Sequence, residues 1–217
     1  AYMAEALGHP EHGYYRKGDP FGRTGDFITA PEISQMFGEL LGLWSLVCWR
    51  QMGAPMILNL VELGPGRGTL MVDGMRAAGN VLPFYDALQV HLVETSPILR
   101  EYQQAALAAY DRPTHWHDQV DQIPEGPFVL LANEFLDALP IRQFAKTDYG
   151  WCERLIDLTA AGDGLTWAYS ADCAVDGFYV PPALEIMSEN QIYEICPSAQ
   201  VIIPLISQMI MRHRGVA

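Results

Sequence analysis

Glu62-Leu63-Gly64-Pro65-Gly66-Arg67-Gly68 closes a short apolar run over residues 56–63 and opens Thr69–Ala78, whose pattern reads as a helix stopped by Gly79. This stretch decides the fold. Gly64 permits a tight turn, Gly66 lets the backbone approach a ligand, and Gly68 removes a side chain from the helix start. A dinucleotide fold would space its glycines G-x-G-x-x-G and set a pyrophosphate on the helix N-terminus. Here Thr69 holds the sixth position, and Glu62 adds negative charge where a pyrophosphate would not want it. A carboxylate at Glu62 suits a cationic ligand part, such as an amino group or a sulfonium.

Outward from that turn, strands and helices alternate. Leu88–Val93 reads as a strand ending at Glu94. The interval from Gly64 is longer than a minimal unit, and residues 80–87, which hold Pro83, can absorb the excess as a loop. Ser96 caps the next helix, with Pro97 at its first position and Ile98, Leu99, Tyr102, Ala105, Ala106 and Ala109 as its buried stripe. Thr114–His117 is a short strand leading to Asp118, and residues 128–132 form an apolar strand ending at Asn133-Glu134. This rhythm predicts an α/β fold, a Rossmann-like parallel sheet covered on both faces. Open sheets bind ligands at the carboxyl ends of their strands. Glu94 there can accept both ribose hydroxyls of an adenosine group, and Asp118 an adenine amino group. Each carboxylate taken alone could be a solvated surface group; their succession beside a glycine turn points to a site.

The first 30 residues read as loop. Thr29-Ala30-Pro31-Glu32 has the T-x-x-E pattern of a capping box with Pro in the first turn. Met36, Phe37, Leu40, Leu41, Trp44, Val47 and Cys48 then recur as the buried face of a helix ended by Gly53-Ala54-Pro55. Residues 1–54 therefore read as an N-terminal loop and helix lid on a sheet domain spanning 55–217. Within that domain, residues 141–146, 151–158 and 165–169 predict antiparallel hairpins, a β insertion at about 141–195. The insertion could serve as a dimer contact, which leaves a homodimer open, as a substrate lid, or as a cover for the sheet edge. A helix follows from Pro197. A further buried strand is expected near Gly215-Val216-Ala217, so the chain reads as C-terminally truncated.

Half of the 217 residues are hydrophobic and 18% are charged, which excludes bulk disorder. Thirteen basic against 26 acidic residues, a net charge of −13, argue against a nucleic-acid partner. No apolar run reaches the roughly 18 residues of a membrane span. Cys48, Cys152, Cys173 and Cys196 are scattered and the histidines show no ligand spacing, so reduced cysteines and no metal are expected. The N-terminus lacks a signal-peptide pattern, which fits a cytoplasmic protein, or a mitochondrial matrix protein after trimming of a transit peptide.

Four stretches, in order, resemble the MidA family of class I S-adenosylmethionine-dependent methyltransferases. They are Gly25-Asp26-Phe27-Ile28-Thr29-Ala30-Pro31-Glu32, the glycine turn, His91-Leu92-Val93-Glu94-Thr95-Ser96-Pro97 and Asn133-Glu134-Phe135-Leu136-Asp137-Ala138-Leu139-Pro140. The family includes the mitochondrial arginine methyltransferase needed for assembly of respiratory complex I. The resemblance implies a Rossmann-like sheet that binds S-adenosylmethionine, and methylation of an arginine in a partner protein. Cofactor contacts would then fall on Glu62, Gly64, Gly66, Gly68, Glu94, Asp118 and Asn133. A guanidinium stays protonated in water and needs a carboxylate to orient it and take its proton. Glu134 is placed for this at the sheet's carboxyl edge. Asp137 is a second candidate or a helix-start charge favoured by the dipole. Asp26 is read as a cofactor or substrate contact or as an ordinary loop residue, and Thr29 as a capping hydroxyl. Two rivals stay open: an NAD-type oxidoreductase, which the glycine spacing and Glu62 oppose, and a non-catalytic assembly factor that keeps the cofactor pocket.

Overall fold

The computed structural model describes residues 2–14, 29–171, 173, 188 and 191–217. The turns expected at residues 18–20 and 23–26, Asp26 included, lie outside these. Four parallel strands form the first sheet: β1 (Leu58–Leu63), β2 (Leu88–Val93), β3 (Thr114–His117) and β4 (Phe128–Leu131), in the order β3-β2-β1-β4. β1 is buried along its whole length, as a central strand covered on both faces must be. Val216 adds a parallel bridge beside Val129, where a further strand was expected.

The two faces of β1 feed two cores. Leu58 and Leu60 pack with Leu70, Met71, Met75 and Phe84, from helices α4 (Thr69–Ala78) and α5 (Leu82–Ala87). Val61 and Leu63 pack with Val93, Phe128 and Leu130 under Ile202, Leu205, Ile206 and Met209 of helix α7 (Pro197–His213). Asn59, His91 and His117 form a polar knot across β1, β2 and β3. His91 Nδ1 lies 2.9 Å from His117 Nε2, and its Nε2 lies 3.2 Å from Asn59 Oδ1. His91 is thus a partnered core histidine.

The N-terminal region departs from the sequence reading. Tyr2–Gly8 is helical, not loop (α1). The expected single helix splits into α2 (Ala30–Ile33) and α3 (Gln35–Gln51). Thr29 makes no side-chain cap, while Ser34 Oγ accepts from the Met36 N–H. The buried face of α3 agrees with the expected stripe only in part. Phe37, Leu41 and Cys48 pack into the core, whereas Met36, Leu40, Trp44 and Val47 are exposed, and Gly38, Gly42, Ser45, Leu46 and Trp49 complete the face instead. A Cβ on Gly42 would stand 2.6 Å from the Gly74 carbonyl oxygen and 2.7 Å from its Cα, both backbone atoms of α4. The two helices touch backbone to backbone, a contact that apolar periodicity does not report. Gly42→Ala is expected to destabilise the fold by about 1–3 kcal/mol through overpacking. The helix-propensity gain of alanine, at most about 1 kcal/mol, does not offset this. Denaturant unfolding of the variant beside the parent measures the difference.

Residues 80–87, expected as loop, hold the short helix α5 with Pro83 in its first turn. Helix α6 (Pro97–Leu107) starts at the Ser96 cap as read, but its buried residues are Leu99, Gln103 and Leu107. Tyr102, Ala105, Ala106 and Ala109 face solvent. The β insertion is a separate antiparallel sheet, β7-β6-β5-β8, of β5 (Arg142–Thr147), β6 (Gly150–Leu158), β7 (Leu165–Tyr169) and β8 (Ile192–Ile195). Its register corrects the expectation of reduced cysteines. Arg154 pairs with Tyr169, and Ser170 N–H donates to the Glu153 carbonyl, so the chain continues alongside the start of β6. Cys173 thereby reaches Cys152, and the two form a disulfide; Cys48 and Cys196 are free.

Candidate functional site

The carboxyl ends of β1, β2 and β4 open onto one cavity of about 350 Å³. The glycine turn forms its floor. Gly64, Gly66 and Gly68 have φ of +62°, +55° and +83°, the left-handed region that favours glycine. The Gly64 N–H donates to the Val93 carbonyl at 3.0 Å, which ties the turn to the end of β2. A Cβ on Gly64 would lie 2.8 Å from the Phe135 ring. The turn is therefore strained for any other residue at these three positions, and Gly64 has no room for a side chain unless the Phe135 ring moves.

Glu62 is buried, and its Oε2 has no hydrogen-bond partner. Burial alone pushes its carboxyl up to about 8. An orphaned carboxyl in a cavity wall is costly in the absence of a partner, so this atom is built to receive a donor, best of all a cationic one. Glu94, at the next strand end, is held by both oxygens: Oε1 accepts from the Ser96 N–H at 2.8 Å, and Oε2 from Gln103 Nε2 at 3.4 Å. Burial raises its pKa, while the N–H groups of Ser96 and Thr95, the Gln103 amide and Arg100 pull it back.

The segment after β4 supplies Asn133, Glu134, Phe135 and Asp137 to the same wall. Glu134 has φ of +49°, a conformation that costs a non-glycine residue about 1–3 kcal/mol and clusters at functional sites. No helix begins at Asp137, so the helix-start reading of its charge falls away. The rim comes from α2. Glu32 Oε1 accepts from Thr69 Oγ1 at 2.5 Å, and Arg67 lies 3.8 Å from Glu32 Oε2. Glu32 thus braces the N-terminal segment against the glycine turn instead of closing a capping box. Glu32, Glu62, Glu94, Glu134 and Asp137 line the cavity against Arg67 as its basic lining residue, an environment that favours cations.

Of the residues singled out from the sequence, Glu62, Gly64, Gly66, Glu94, Asn133, Glu134 and Asp137 meet at this cavity. Gly68 shapes the turn but does not line the cavity. Asp118 does not line it either: it is exposed and paired with Arg100 at 2.7 Å, and the same guanidinium donates through Nε to the Glu94 carbonyl. Asp26 falls outside the described residues. Sequence reasoning passed over Glu32, Thr69, Phe135 and Gln103. Phe135 lies inside the stretch Asn133–Pro140, and Glu32 in the T-x-x-E pattern. Gln103 gave no signal.

Comparison with known proteins agrees with this geometry. Residues 40–217 match a family model described as "Putative S-adenosyl-L-methionine-dependent methyltransferase". The whole chain aligns at 37% identity with the mitochondrial protein arginine methyltransferase NDUFAF7 of Xenopus laevis and at 39% with that of Mus musculus, covering 54% of each. The Drosophila melanogaster homologue is 42% identical over 75% of this chain and 41% of its own. The chain thus spans about half the length of the curated relatives it matches. Among solved structures, a COG1565 superfamily member from Burkholderia thailandensis bound to S-adenosyl-homocysteine superposes with a TM-score of 0.77 at 27% identity, over 96% of this chain and 54% of that one.

Proposed function

We propose, from the premise that the chain belongs to the family of S-adenosyl-L-methionine-dependent methyltransferases whose model it matches, that its cavity binds S-adenosylmethionine and presents the methyl group to an arginine of a partner protein. The single observation that carries this reading is the buried, unpartnered Glu62 carboxyl beside a left-handed glycine turn whose Gly64 packs against the Phe135 ring. The residues present fit the cofactor. Glu62 would receive its amino group, Gly64 and Gly66 would lie against it without side chains, and Glu94 would accept from its ribose hydroxyls. Asn133 would neighbour its amino-acid part. When bound, the cofactor supplies an electrophilic methyl group on a positively charged sulfur. The protein's part is alignment and electrostatic fit. Glu134 orients the acceptor guanidinium and takes its proton as methylation proceeds, and Asp137 adds negative charge beside it.

The names of the relatives support arginine as acceptor. A subunit of respiratory complex I remains the proposed partner for the mitochondrial relatives, with the matrix as compartment. No described helix is long and apolar enough to cross a membrane. Exposed Leu158, Leu165, Trp167 and Tyr169 suit the second sheet to a contact between two copies, hence a homodimer, which light scattering would report. For the activity itself, radiolabelled methyl transfer to an arginine-containing peptide, with its lysine counterpart as control, is the direct test. Labelling of neither peptide while the cofactor product binds would favour the non-catalytic rival.

Glu62 also gives the binding step a pH signature. Its raised pKa keeps it protonated at neutral pH in the free chain, and a cationic partner favours the carboxylate, so binding should release a proton. Affinity for S-adenosyl-homocysteine is expected to rise from pH 6 to 7.5, by up to about tenfold per unit. Above that range the ligand's own amino group, near 8, begins to lose its charge. Calorimetry in two buffers of different ionisation enthalpy should find close to one proton released at pH 7. Proton uptake, or none, would remove Glu62 from the amino-group site.

A further inference from the structure

Gln103 is the one amide in the buried stripe of α6, and it is fully inaccessible. Trp116 Nε1, on β3, donates to its Oε1 at 2.9 Å. An indole N–H can only donate, so this contact fixes which way the amide points. Its Nε2 must therefore face the other side. There it donates to the Gly66 carbonyl at 2.7 Å and reaches Glu94 Oε2 at 3.4 Å. One side chain thus joins the turn after β1, the carboxylate after β2 and a tryptophan of β3. These are three separate segments brought together only by the fold, and the first two line the cavity. Gln103 also underlies Gly68, whose missing Cβ would come within 3.4 Å of its Cγ.

We propose that Gln103 is a positioning residue for the cofactor: it locks the Gly66 carbonyl and the Glu94 carboxylate into the one arrangement that fits an adenosine group, with Trp116 holding the lock in orientation. This rests on the reading of the cavity as an S-adenosylmethionine site. The Ser96 N–H holds Glu94 Oε1 and Gln103 holds Oε2, so the carboxylate cannot rotate, and its remaining lone pairs stay free for ribose hydroxyls. Without the amide, Glu94 Oε2 would lose its side-chain donor, and the Gly66 carbonyl would lose its donor inside the protein.

Two variants test this, with S-adenosyl-homocysteine as the calorimetric probe. Gln103→Met keeps the shape and removes every hydrogen bond. It is expected to weaken binding about 10- to 100-fold. Gln103→Glu is isosteric and still accepts from Trp116, but its second oxygen faces Gly66 and Glu94, both acceptors. A proton shared with Glu94 restores the bridge at pH 6, and its loss sets two carboxylates against each other. Glu62 raises the affinity of parent and variant alike, so the readout is their ratio: Gln103→Glu should lose about tenfold relative to the parent between pH 6 and 7.5. This widening gap is a readout that a merely structural role would not move, and it stands even where Gln103→Met does not fold. If the ratio of the two affinities stays constant with pH, or Gln103→Met binds within threefold of the parent, the positioning role is overturned. A parent chain that fails to bind the probe at all overturns the cofactor reading itself, and this inference with it.

Discussion

Gly64→Ala is expected to weaken S-adenosyl-homocysteine binding by on the order of 10²–10³-fold while leaving a cooperatively folded protein. Two costs meet at this position. A φ of +62° costs an alanine about 1–2 kcal/mol. The new methyl would also sit 2.8 Å from the Phe135 ring, an overpacking worth roughly 1–3 kcal/mol. The chain can escape both by shifting the turn and tilting the ring, and both movements leave the geometry that a ligand needs. Binding must then restore it, so the strain surfaces as lost affinity, tenfold for each 1.4 kcal/mol. Gly79→Ala is the control. It lies at the end of α4 with φ of −58°, and its added methyl meets nothing closer than 3.5 Å, so binding should change less than about twofold. Equal calorimetric affinities for Gly64→Ala and the parent would mean that the turn does not touch the ligand.

The features legible in the sequence were those whose signal is local. β1, the glycine turn and α4 declare themselves in one continuous stretch, because a buried strand, a left-handed turn and a helix start each restrict residue choice at their own positions. Ser96-Pro97 marks the start of α6 for the same reason. What failed depended on partners far along the chain. The buried face of α3 was legible only in Phe37, Leu41 and Cys48, because apolar periodicity assumes that large side chains make the contact, whereas Gly38 and Gly42 let α3 meet α4 at backbone distance. Asp118 stands at a strand end, as a ligand-binding carboxylate would. Arg100, eighteen residues earlier on α6, takes it instead.

The same logic separates the readable half of the site from the unreadable half. Glu62 and Glu94 follow strands, and their place at the sheet's carboxyl edge comes with the strand. Gln103 and Glu32 act through contacts 37 residues away, to Gly66 and Thr69, that nothing in their own neighbourhoods requires. A glutamine on an amphipathic helix looks like surface until the fold sets Trp116 against it. The Cys152–Cys173 pair belongs to this class too, since it follows from the hairpin register and not from any cysteine spacing.

Glu134→Gln is expected to lower kcat by about 10²–10⁴-fold with little change, within about threefold, in S-adenosyl-homocysteine affinity. The amide keeps the size of the carboxyl but can neither carry the charge that orients a guanidinium nor take its proton. Asp137→Asn, which removes a neighbouring charge and leaves Glu134 in place, should cost less. The backbone offers a second, independent measurement. Glu134 occupies φ of +49° without being glycine, so the fold holds it there against a local preference. Glu134→Gly would relieve that strain. If the conformation is kept for the sake of the carboxylate, the glycine variant should melt at a higher temperature than the parent and yet transfer no methyl groups, stability and activity moving in opposite directions. A glycine variant that retains methyl transfer would show that the acceptor's proton leaves by another route, and Asp137 would then be the carboxylate to test.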